Sequence, residues 1–266
     1  MTARYDRYLS YSGFTKFQEC PQSYYLEYIQ KKRPKVIDER NTLNGNTLHN
    51  LMEEYIENGV NRPEWLRENL ERVWHETADK AAHIVWRHDN DAEELRAKAR
   101  KWTDTLATMF EKPLLNPERL IPELKTDTIV QVGDYRVKMG GRLDIVLKGN
   151  DGKYMFLDLK ASESKQIKKF DQIVWYAVTL SAYLDDPEQP QYGGYVLPGL
   201  KEMPIYEIPD AAKRKLLLRL EKAMQKMDNE EWAPIPEDRK CFWCNVKHAC
   251  PVKGAMVAPQ SGQVTF

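Results

Sequence analysis

The stretch from Gly140 to Lys160, GGRLDIVLKGNDGKYMFLDLK, constrains the fold of this chain more than any other. Two apolar runs flank the turn-forming residues Asn150-Asp151-Gly152, and this pattern predicts a β-hairpin. If those residues form the loop, Asp144 lies opposite Asp158, with Cβ atoms about 5 Å apart. Because side chains alternate along a strand, Lys160 lies on the same face as Asp158. The hairpin therefore gathers two carboxylates and an ammonium on one side of a sheet.

These charged side chains have two interpretations. In the first, they form ordinary ion pairs on a solvent-facing hairpin, since exposed pairs are common. In the second, Asp144 and Asp158 bind Mg²⁺ or Mn²⁺, and Lys160 lies beside a water molecule that the ion activates. The second is favoured because each acid interrupts an apolar run typical of a buried strand, where an unpaired carboxylate is costly. We therefore predict a divalent-metal site on the hairpin.

Charge and composition limit the class of protein. The 266 residues contain 40 Lys and Arg against 40 Asp and Glu, so no global field indicates a polyanionic partner. The N-terminus lacks the apolar core of a signal peptide, and no run is long enough to span a membrane. We therefore expect a cytoplasmic chain with no membrane contact. In a reducing compartment, four cysteines indicate metal or redox chemistry rather than disulfides.

The four cysteines consist of one distant residue and one cluster. Cys20 lies near the N-terminus, whereas Cys241, Cys244 and Cys250 follow a C-x₂-C-x₅-C-P spacing near the other end. Four thiolates suit a structural zinc ion or a [4Fe–4S] cluster, and the spacing alone leaves both open. His248 is a spare ligand if the metal is zinc. Either metal would clamp the two ends of the chain together.

Periodicity assigns the regions before the hairpin. Ser12 is expected to cap a helix that begins at Phe14. An amphipathic helix over Leu43–Asn58 carries His49 beside its apolar stripe, where a lone histidine is usually an ordinary boundary residue. A polar, helix-rich insert follows from Arg62 to Lys112, and most of its tryptophans are expected to pack in a core.

Further candidates flank the hairpin on both sides. Glu123 lies on a predicted strand that leads into it. A helix predicted over Lys165–Leu184 places Gln172 and Tyr176 together, because they are four residues apart. That pair alone predicts no more than a hydrogen bond within a helix.

The sequence GRLD followed by LDLK resembles the core of the PD-(D/E)xK nucleases. Three further features make it most similar to the RecB-like exonuclease branch with an iron–sulfur cluster, which includes the CRISPR-associated exonucleases and AddB-type nuclease domains. These features are the histidine helix with Gly45 before it, the Q-x-x-x-Y pair after DLK, and the one-plus-three cysteine set. The resemblance implies an α/β, restriction-endonuclease-like mixed sheet flanked by helices, with a helical insert and a four-cysteine metal clamp.

The resemblance also implies roles for individual residues. It implies Mg²⁺ or Mn²⁺ held by His49, Asp144, Asp158 and the Leu159 carbonyl, with support from Glu123. Lys160 would orient the attacking water or stabilise the charge on the phosphate, and Gln172 and Tyr176 would position the lysine or the DNA strand. It implies a [4Fe–4S] cluster on Cys20, Cys241, Cys244 and Cys250, with zinc as the second choice.

The implied activity is hydrolysis of phosphodiester bonds in single-stranded DNA or at duplex ends. Basic residues expected to contact DNA are Lys165, Arg239 and Lys240, and a helicase or recombination protein is an expected partner. The alternative is a non-catalytic DNA-binding or recombination accessory protein, against which the complete D…DxK set argues. The expected divisions are an N-terminal segment (1–35), the histidine helix and insert (36–112), the nuclease core (113–232), the cysteine cluster (233–256) and a tail (257–266).

Overall fold

A computed structural model of the chain describes residues 3–32, 38–60, 62–111, 117–164 and 169–254. These residues form two compact units. Unit 1 is drawn from residues 1–36, 131–137 and 217–266, and unit 2 from residues 37–130 and 138–216. The first and the last described residues thus belong to the same unit, while the hairpin belongs to the other. None of the helices in the described ranges combines the length and the apolar character that crossing a membrane requires.

Unit 2 is built on a mixed sheet of five strands in the order β2-β5-β6-β7-β8. The strands are β2 (Pro117–Lys125), β5 (Arg142–Gly149), β6 (Tyr154–Leu159), β7 (Tyr192–Val196) and β8 (Ile205–Glu207). Neighbouring strands are antiparallel except for β6 and β7, which run parallel. A parallel pair needs a crossover, and helix α6 (Phe170–Leu184) lies between these strands in the chain. This architecture confirms the predicted α/β class.

The predicted hairpin is confirmed in its register. Ile145 lies opposite Leu157 in the antiparallel pair of β5 and β6, so the next positions outward are Asp144 and Asp158. The turn closes where the Gly149 N–H donates to the Lys153 carbonyl, at 2.8 Å. The apolar strand residues and the Asn-Asp-Gly loop specify the same register, because a slip of one residue would expose the buried face.

Three helices pack together in unit 2 beside the sheet. They are α3 (Leu43–Glu57), α4 (Glu64–Lys80) and α5 (Asp91–Glu111), preceded by a short 3₁₀ turn (Glu39–Asn41). Their apolar stripes share one core with the inward residues of β5 and β6, including Leu48, Leu66, Leu106 and Ile145. The predicted helical insert is therefore two long helices. Trp74 and Trp102 are buried in it, as expected of core residues.

The helix after the hairpin begins later than predicted. It begins at Phe170 because Lys169 is already extended, with φ −106° and ψ 99°, and residues 165–168 lie outside the described residues. It ends at Leu184, as predicted, and Asp185 is its C-cap. Trp175 on its buried face donates its indole N–H to the Gly140 carbonyl at 3.1 Å, which anchors the helix to the start of β5.

Unit 1 joins the N-terminal helices to the C-terminal segment. Its helical elements are α1 (Tyr11–Glu19), α2 (Pro21–Tyr24), a π turn (Tyr25–Ile29), α8 (Asp238–Phe242), a 3₁₀ turn (Lys247–Ala249) and α9 (Pro251–Gly254). Strand β1 (Ala3–Leu9) also belongs to unit 1. Three further elements have residues in both units: β3 (Thr128–Val132), β4 (Tyr135–Met139) and α7 (Asp210–Asp228). Strands β1, β4 and β3 form a second sheet in that order.

The packing of unit 1 depends on one tryptophan. Trp232 stacks on Tyr25, with ring centroids 5.1 Å apart, and meets Phe17 edge-on. Tyr24 is buried beside them, and its ring stacks on Trp232 with centroids 6.3 Å apart. The predicted cap at Ser12 is wrong: Ser10 is the N-cap, since its hydroxyl accepts from the Gly13 N–H at 3.2 Å and the helix begins at Tyr11.

Candidate metal centre

Three acids lie side by side across three adjacent strands of unit 2. In the β2–β5 pair, Pro122 lies opposite Ile145 and Leu124 opposite Leu143, so Glu123 falls opposite Asp144. In the β5–β6 pair, the register in turn sets Asp144 opposite Asp158. The row of carboxylates is therefore a consequence of two strand registers, and it collects negative charge at one place on the sheet.

Glu123 has a strained backbone. Its φ is +48°, a left-handed value that residues with a side chain rarely adopt, and Glu123 is missing from the β2–β5 ladder between the paired residues Pro122 and Leu124. Such a conformation costs about 1–3 kcal/mol and persists where the surroundings hold it, often at functional sites. The strain supports the prediction that Glu123 has a role at this site.

His49 approaches the acids from helix α3. Its Nδ1 lies 3.3 Å from Glu123 Oε1 and 3.4 Å from Asp144 Oδ1. One ligand atom from each of His49, Glu123 and Asp144 falls within 4.8 Å of the others. An imidazole nitrogen and two carboxylate oxygens at this separation form a donor set that suits a hard divalent ion. The structure thus brings together three of the residues expected at the metal site.

The acids determine the protonation of His49. Burial lowers the pKa of the imidazole, but its hydrogen bonds to Asp144 and Glu123 outweigh burial and raise the pKa to about 10. The protein without a bound ion therefore keeps a positive charge between two carboxylates. A metal ion takes over the same role, provided that it displaces the proton.

Asp158 and Lys160 form a pair beside this triad. Asp158 is 1% exposed, and Lys160 Nζ lies 2.8 Å from its Oδ2, although this contact lacks hydrogen-bond geometry. Burial raises the pKa of Asp158, while the Lys160 charge opposes that rise and Asp144 adds to it. Burial lowers the pKa of Lys160, but Asp158 more than compensates and the net shift is upward. The ammonium is thus held charged next to the acids.

Asp144 has a fixed orientation. Its Oδ2 accepts the backbone N–H of Leu159 at 2.7 Å, while Oδ1 faces His49. Leu159 is the buried last residue of β6. This bond leaves the side of Asp144 nearer His49 for a ligand. That the Leu159 carbonyl is a metal ligand stays a prediction.

The two glycines of GGRLD lie where a side chain would clash. A Cβ on Gly141 would lie 2.7 Å from Tyr176 Cε1, so this glycine makes room for the helix that carries Gln172 and Tyr176, whereas a Cβ on Gly140 would clash with the Thr126 carbonyl oxygen. Gln172 donates to the Tyr176 hydroxyl at 3.1 Å. The pair thus forms the expected hydrogen bond within the helix, and the ring packs against the start of β5.

Sequence reasoning missed two residues near the triad. Arg142 forms an ion pair with Glu123 and lies 3.6 Å from Glu53. Burial raises the pKa of Glu53, and the Glu123 charge adds to the shift. A sequence signal existed for both, since Glu53 follows His49 by one helical turn and Arg142 precedes Asp144 by two strand positions. Arg142 balances part of the negative charge of the site.

The four cysteines occur together in unit 1, as free and partly buried thiols. Cys20 Sγ accepts the Ile235 N–H at 3.4 Å, and Cys244 Sγ lies 3.5 Å from the Ser23 hydroxyl. Hydrogen bonds to sulfur are typical of thiolate ligands, whose electronics they adjust. The donor set of unit 1 therefore fits a thiolate-bound metal or cluster.

The three predicted DNA-contacting residues differ in their surroundings. Arg239 is exposed and forms no ion pair with the described residues, whereas Lys240 pairs with Glu237 at 2.6 Å. Lys165 lies outside the described residues. Close to Arg239 in the chain, Phe242 and Trp243 are the most exposed large apolar side chains of the described residues, at 63% and 76%.

The whole arrangement agrees with a known family. Residues 8–251 match the model of the PD-(D/E)XK nuclease superfamily, and the chain belongs to that superfamily. Its members are generally metal-dependent nucleases that use ions such as Mg²⁺ or Mn²⁺ and act on DNA. The mixed sheet flanked by helices is the fold expected of it.

Individual similarities are more distant. The Gene 69 protein of Mycobacterium phage L5 is 24% identical in an alignment of 196 residues that covers 69% of this chain and 63% of that protein. The match thus spans less than two thirds of the relative's length. A solved chain titled "Crystal structure of SSO0001" is similar at a TM-score of 0.42 and 14% identity, over 94% of this chain and 88% of the solved one.

Binding of Mn²⁺ to the triad should strengthen as the pH rises. His49 keeps its proton up to a pKa of about 10, and an ion needs the neutral imidazole, so each ion that binds releases that proton. The association constant should therefore rise by about tenfold per pH unit between about pH 7 and 9. Calorimetric titration with Mn²⁺ measures this slope. In His49→Gln the change in the logarithm of the association constant per pH unit should be smaller by about one, because one proton fewer is released. Equal slopes in the two proteins would show that His49 is not a ligand.

Proposed function

We propose that this chain is a divalent-metal-dependent deoxyribonuclease that acts as an exonuclease on single-stranded DNA or duplex ends. We further propose that unit 1 contains a [4Fe–4S] cluster. The observation that carries the nuclease proposal is the meeting of His49, Glu123 and Asp144 beside the Asp158–Lys160 pair. The exonuclease part has its support in the resemblance to the RecB-like branch.

In the proposed reaction, His49, Glu123, Asp144 and Asp158 hold the ion. A bound divalent ion supplies an acidified water and neutralises charge on the phosphate. The Leu159 N–H keeps Asp144 turned towards the ion. Lys160 stays charged beside Asp158, so it can stabilise the negative charge that develops on the phosphate.

The Gln172–Tyr176 pair has an indirect role in this proposal. Gln172 donates to the Tyr176 hydroxyl, and the Tyr176 ring packs against Gly141, the residue just before β5. The pair supports the strand that carries the acid, and one exposed edge of it would contact the DNA strand. We therefore assign Gln172 and Tyr176 to positioning.

The proposed cluster has its support in the thiols of unit 1. One distant N-terminal cysteine with three clustered C-terminal cysteines resembles the ligand set of the iron–sulfur nucleases of the RecB-like branch, and this resemblance favours a cluster over zinc. The hydrogen bonds at Cys20 and Cys244 are further support.

We also propose that unit 1 contacts DNA next to the cysteines. Arg239 and Lys240 supply positive charge, and the exposed Phe242 and Trp243 supply ring faces on which unpaired bases stack. Lys247 adds a charge 5.3 Å from the Phe242 ring. The contribution of Lys165, and a helicase or recombination protein as partner, have support from the sequence alone.

Asp144→Asn should abolish most of the cleavage. The change keeps the shape of the side chain but removes a charged ligand, so kcat should fall by about a hundredfold to a thousandfold. The measurement is release of nucleotides from end-labelled single-stranded and duplex DNA with Mn²⁺. The matched control is Asp151→Asn, which changes an exposed carboxylate in the turn of the same hairpin and should leave kcat unchanged. Absence of Mn²⁺-dependent cleavage by the unchanged protein would refute the proposed function.

A further inference from the structure

A cavity of about 540 Å³ opens next to the metal centre in unit 2. Its wall includes His49 of helix α3, Lys98 and Trp102 of helix α5, and Lys160 at the end of β6. A second cavity, of about 440 Å³, contains the acids Glu123 and Asp144. His49 lines both cavities, so the metal centre lies where they meet.

The first cavity has the size and chemistry of a site for one nucleotide. Small-ligand sites measure about 300–1,000 Å³ and combine apolar walls with a few polar groups. The apolar part of this wall includes Leu95 and Ala161, and the charged part includes Arg40, Lys98 and Lys160. Three Lys and Arg side chains against the single acid of the lining, Glu94, suit a phosphate better than a metal ion.

Among the three cations, Lys98 is the one that a ligand can recruit. Arg40 is committed to the fully buried Asp91, with two hydrogen bonds, and Lys160 is committed to Asp158. Lys98 pairs at 3.3 Å with Glu163, whose side chain is 47% exposed, and its Nζ lies 4.7 Å from the centre of the Trp102 ring. An exposed ion pair contributes little to stability, so exchanging Glu163 for a phosphate costs little.

Asn46 supplies an uncommitted polar group at the same place. It lies one helical turn before His49, lines both cavities and is exposed. Its side chain forms no hydrogen bond with any residue in the described ranges, although most of the neighbouring polar groups have partners. A carboxamide both donates and accepts, which suits the sugar and phosphate oxygens of a nucleotide.

We propose that this cavity binds the unpaired nucleotide next to the scissile phosphate, with Lys98 on a neighbouring phosphate and Asn46 hydrogen-bonded to the backbone. The proposal rests on the proposed nuclease function and specifies its substrate. A nucleotide enters a cavity of this size only when its base is not paired, so the bound end is single-stranded. The helical insert thereby takes part in substrate selection, through residues that lie outside the nuclease motifs.

Lys98→Gln tests the proposal by kinetics on single-stranded DNA with Mn²⁺. KM should rise about tenfold while kcat changes less than about twofold, because the phosphate contact is made equally in ground and transition states. The dependence of log KM on log salt should lose about one unit of slope, as expected for one phosphate contact removed. Lys98→Arg should restore both values. Asn46→Ala should also raise KM. Deoxyadenosine 5′-monophosphate should inhibit the Asn46→Ala variant less than it inhibits the unchanged protein.

The control is Lys101→Gln, which removes an exposed lysine from the same helix but outside the cavity lining. It should leave KM and the salt slope unaltered. If Lys98→Gln and Lys101→Gln have the same KM and the same salt slope while the unchanged protein cleaves DNA, the proposed nucleotide site is wrong and the proposed nuclease function is unaffected. If the unchanged protein binds Mn²⁺ but cleaves no DNA, both proposals fall.

Discussion

Replacing Lys160 with methionine is expected to abolish cleavage and to lower the free energy of unfolding by about 3 kcal/mol at about pH 8. The catalytic loss follows because no ammonium remains beside the phosphate. The loss of stability follows because Asp158 is 1% exposed and Lys160 is the cation beside it, at 2.8 Å. Breaking a buried pair on one side leaves a charge without compensation. Denaturant unfolding without added metal, together with the cleavage assay, measures both effects.

The pH dependence of this loss distinguishes it from a simple packing defect. Without Lys160, burial and Asp144 are left to raise the pKa of Asp158, so its folded-state pKa rises further. The unfolded chain releases that proton at about pH 4, so above this pH the folded state holds more protons and loses stability as the pH rises. The destabilisation should therefore be larger at about pH 8 than at about pH 5.

A double variant provides the control. Lys160→Met combined with Asp158→Asn removes both charges, so it should recover most of the stability that Lys160→Met loses but none of the activity. Recovery of stability would identify the unpaired Asp158 charge as the cause. The explanation by the broken ion pair would be contradicted if the loss of stability in Lys160→Met did not depend on pH and if Asp158→Asn did not reverse it.

The sequence was sufficient for the features that depend on local contacts. The register of β5 and β6 follows from a three-residue turn and the apolar runs beside it, so the opposition of Asp144 and Asp158 was predictable. Helix α3 was predicted to within a residue, because its apolar stripe repeats over four turns. The cap at Ser10 was missed, because three serine and tyrosine residues in a row offer alternative helix starts.

Features that join distant segments were not predictable in the same way. Glu123 meets Asp144 only because β2 pairs with β5, and its left-handed backbone has no signature in the sequence. Arg142 lies two strand positions before Asp144, but its ion pair with Glu123 forms because β2 brings that acid beside it. Lys98 shares a cavity with Lys160 because α5 packs in the same core as β6. Each case depends on a tertiary contact that chain order does not encode locally.

The cysteine clamp should give the largest effect on stability outside the metal centre. Cys20→Ser is expected to remove the cluster and to unfold unit 1 at a lower temperature, because thiolate–metal binding energy is folding energy in such sites. All four thiols belong to unit 1, whereas His49, Glu123 and Asp144 belong to unit 2. Binding of Mn²⁺ by unit 2 should therefore persist in the variant. Loss of the cluster is measured as iron and acid-labile sulfide per chain. The stability of unit 1 is measured by thermal unfolding, and Mn²⁺ binding by unit 2 is measured by titration.

His248→Ala is the matched control, because it removes the spare zinc ligand of the same segment and leaves the thiols intact. A four-thiolate cluster predicts unchanged iron, sulfide and unfolding temperature for this variant, whereas a zinc site that uses the histidine predicts loss of metal. Protein prepared without oxygen should be coloured and contain about four iron and four sulfide per chain. Colourless protein loaded with zinc would refute the cluster. The clamp itself would survive that result, since zinc would connect Cys20 to the C-terminal cysteines through the same ligands.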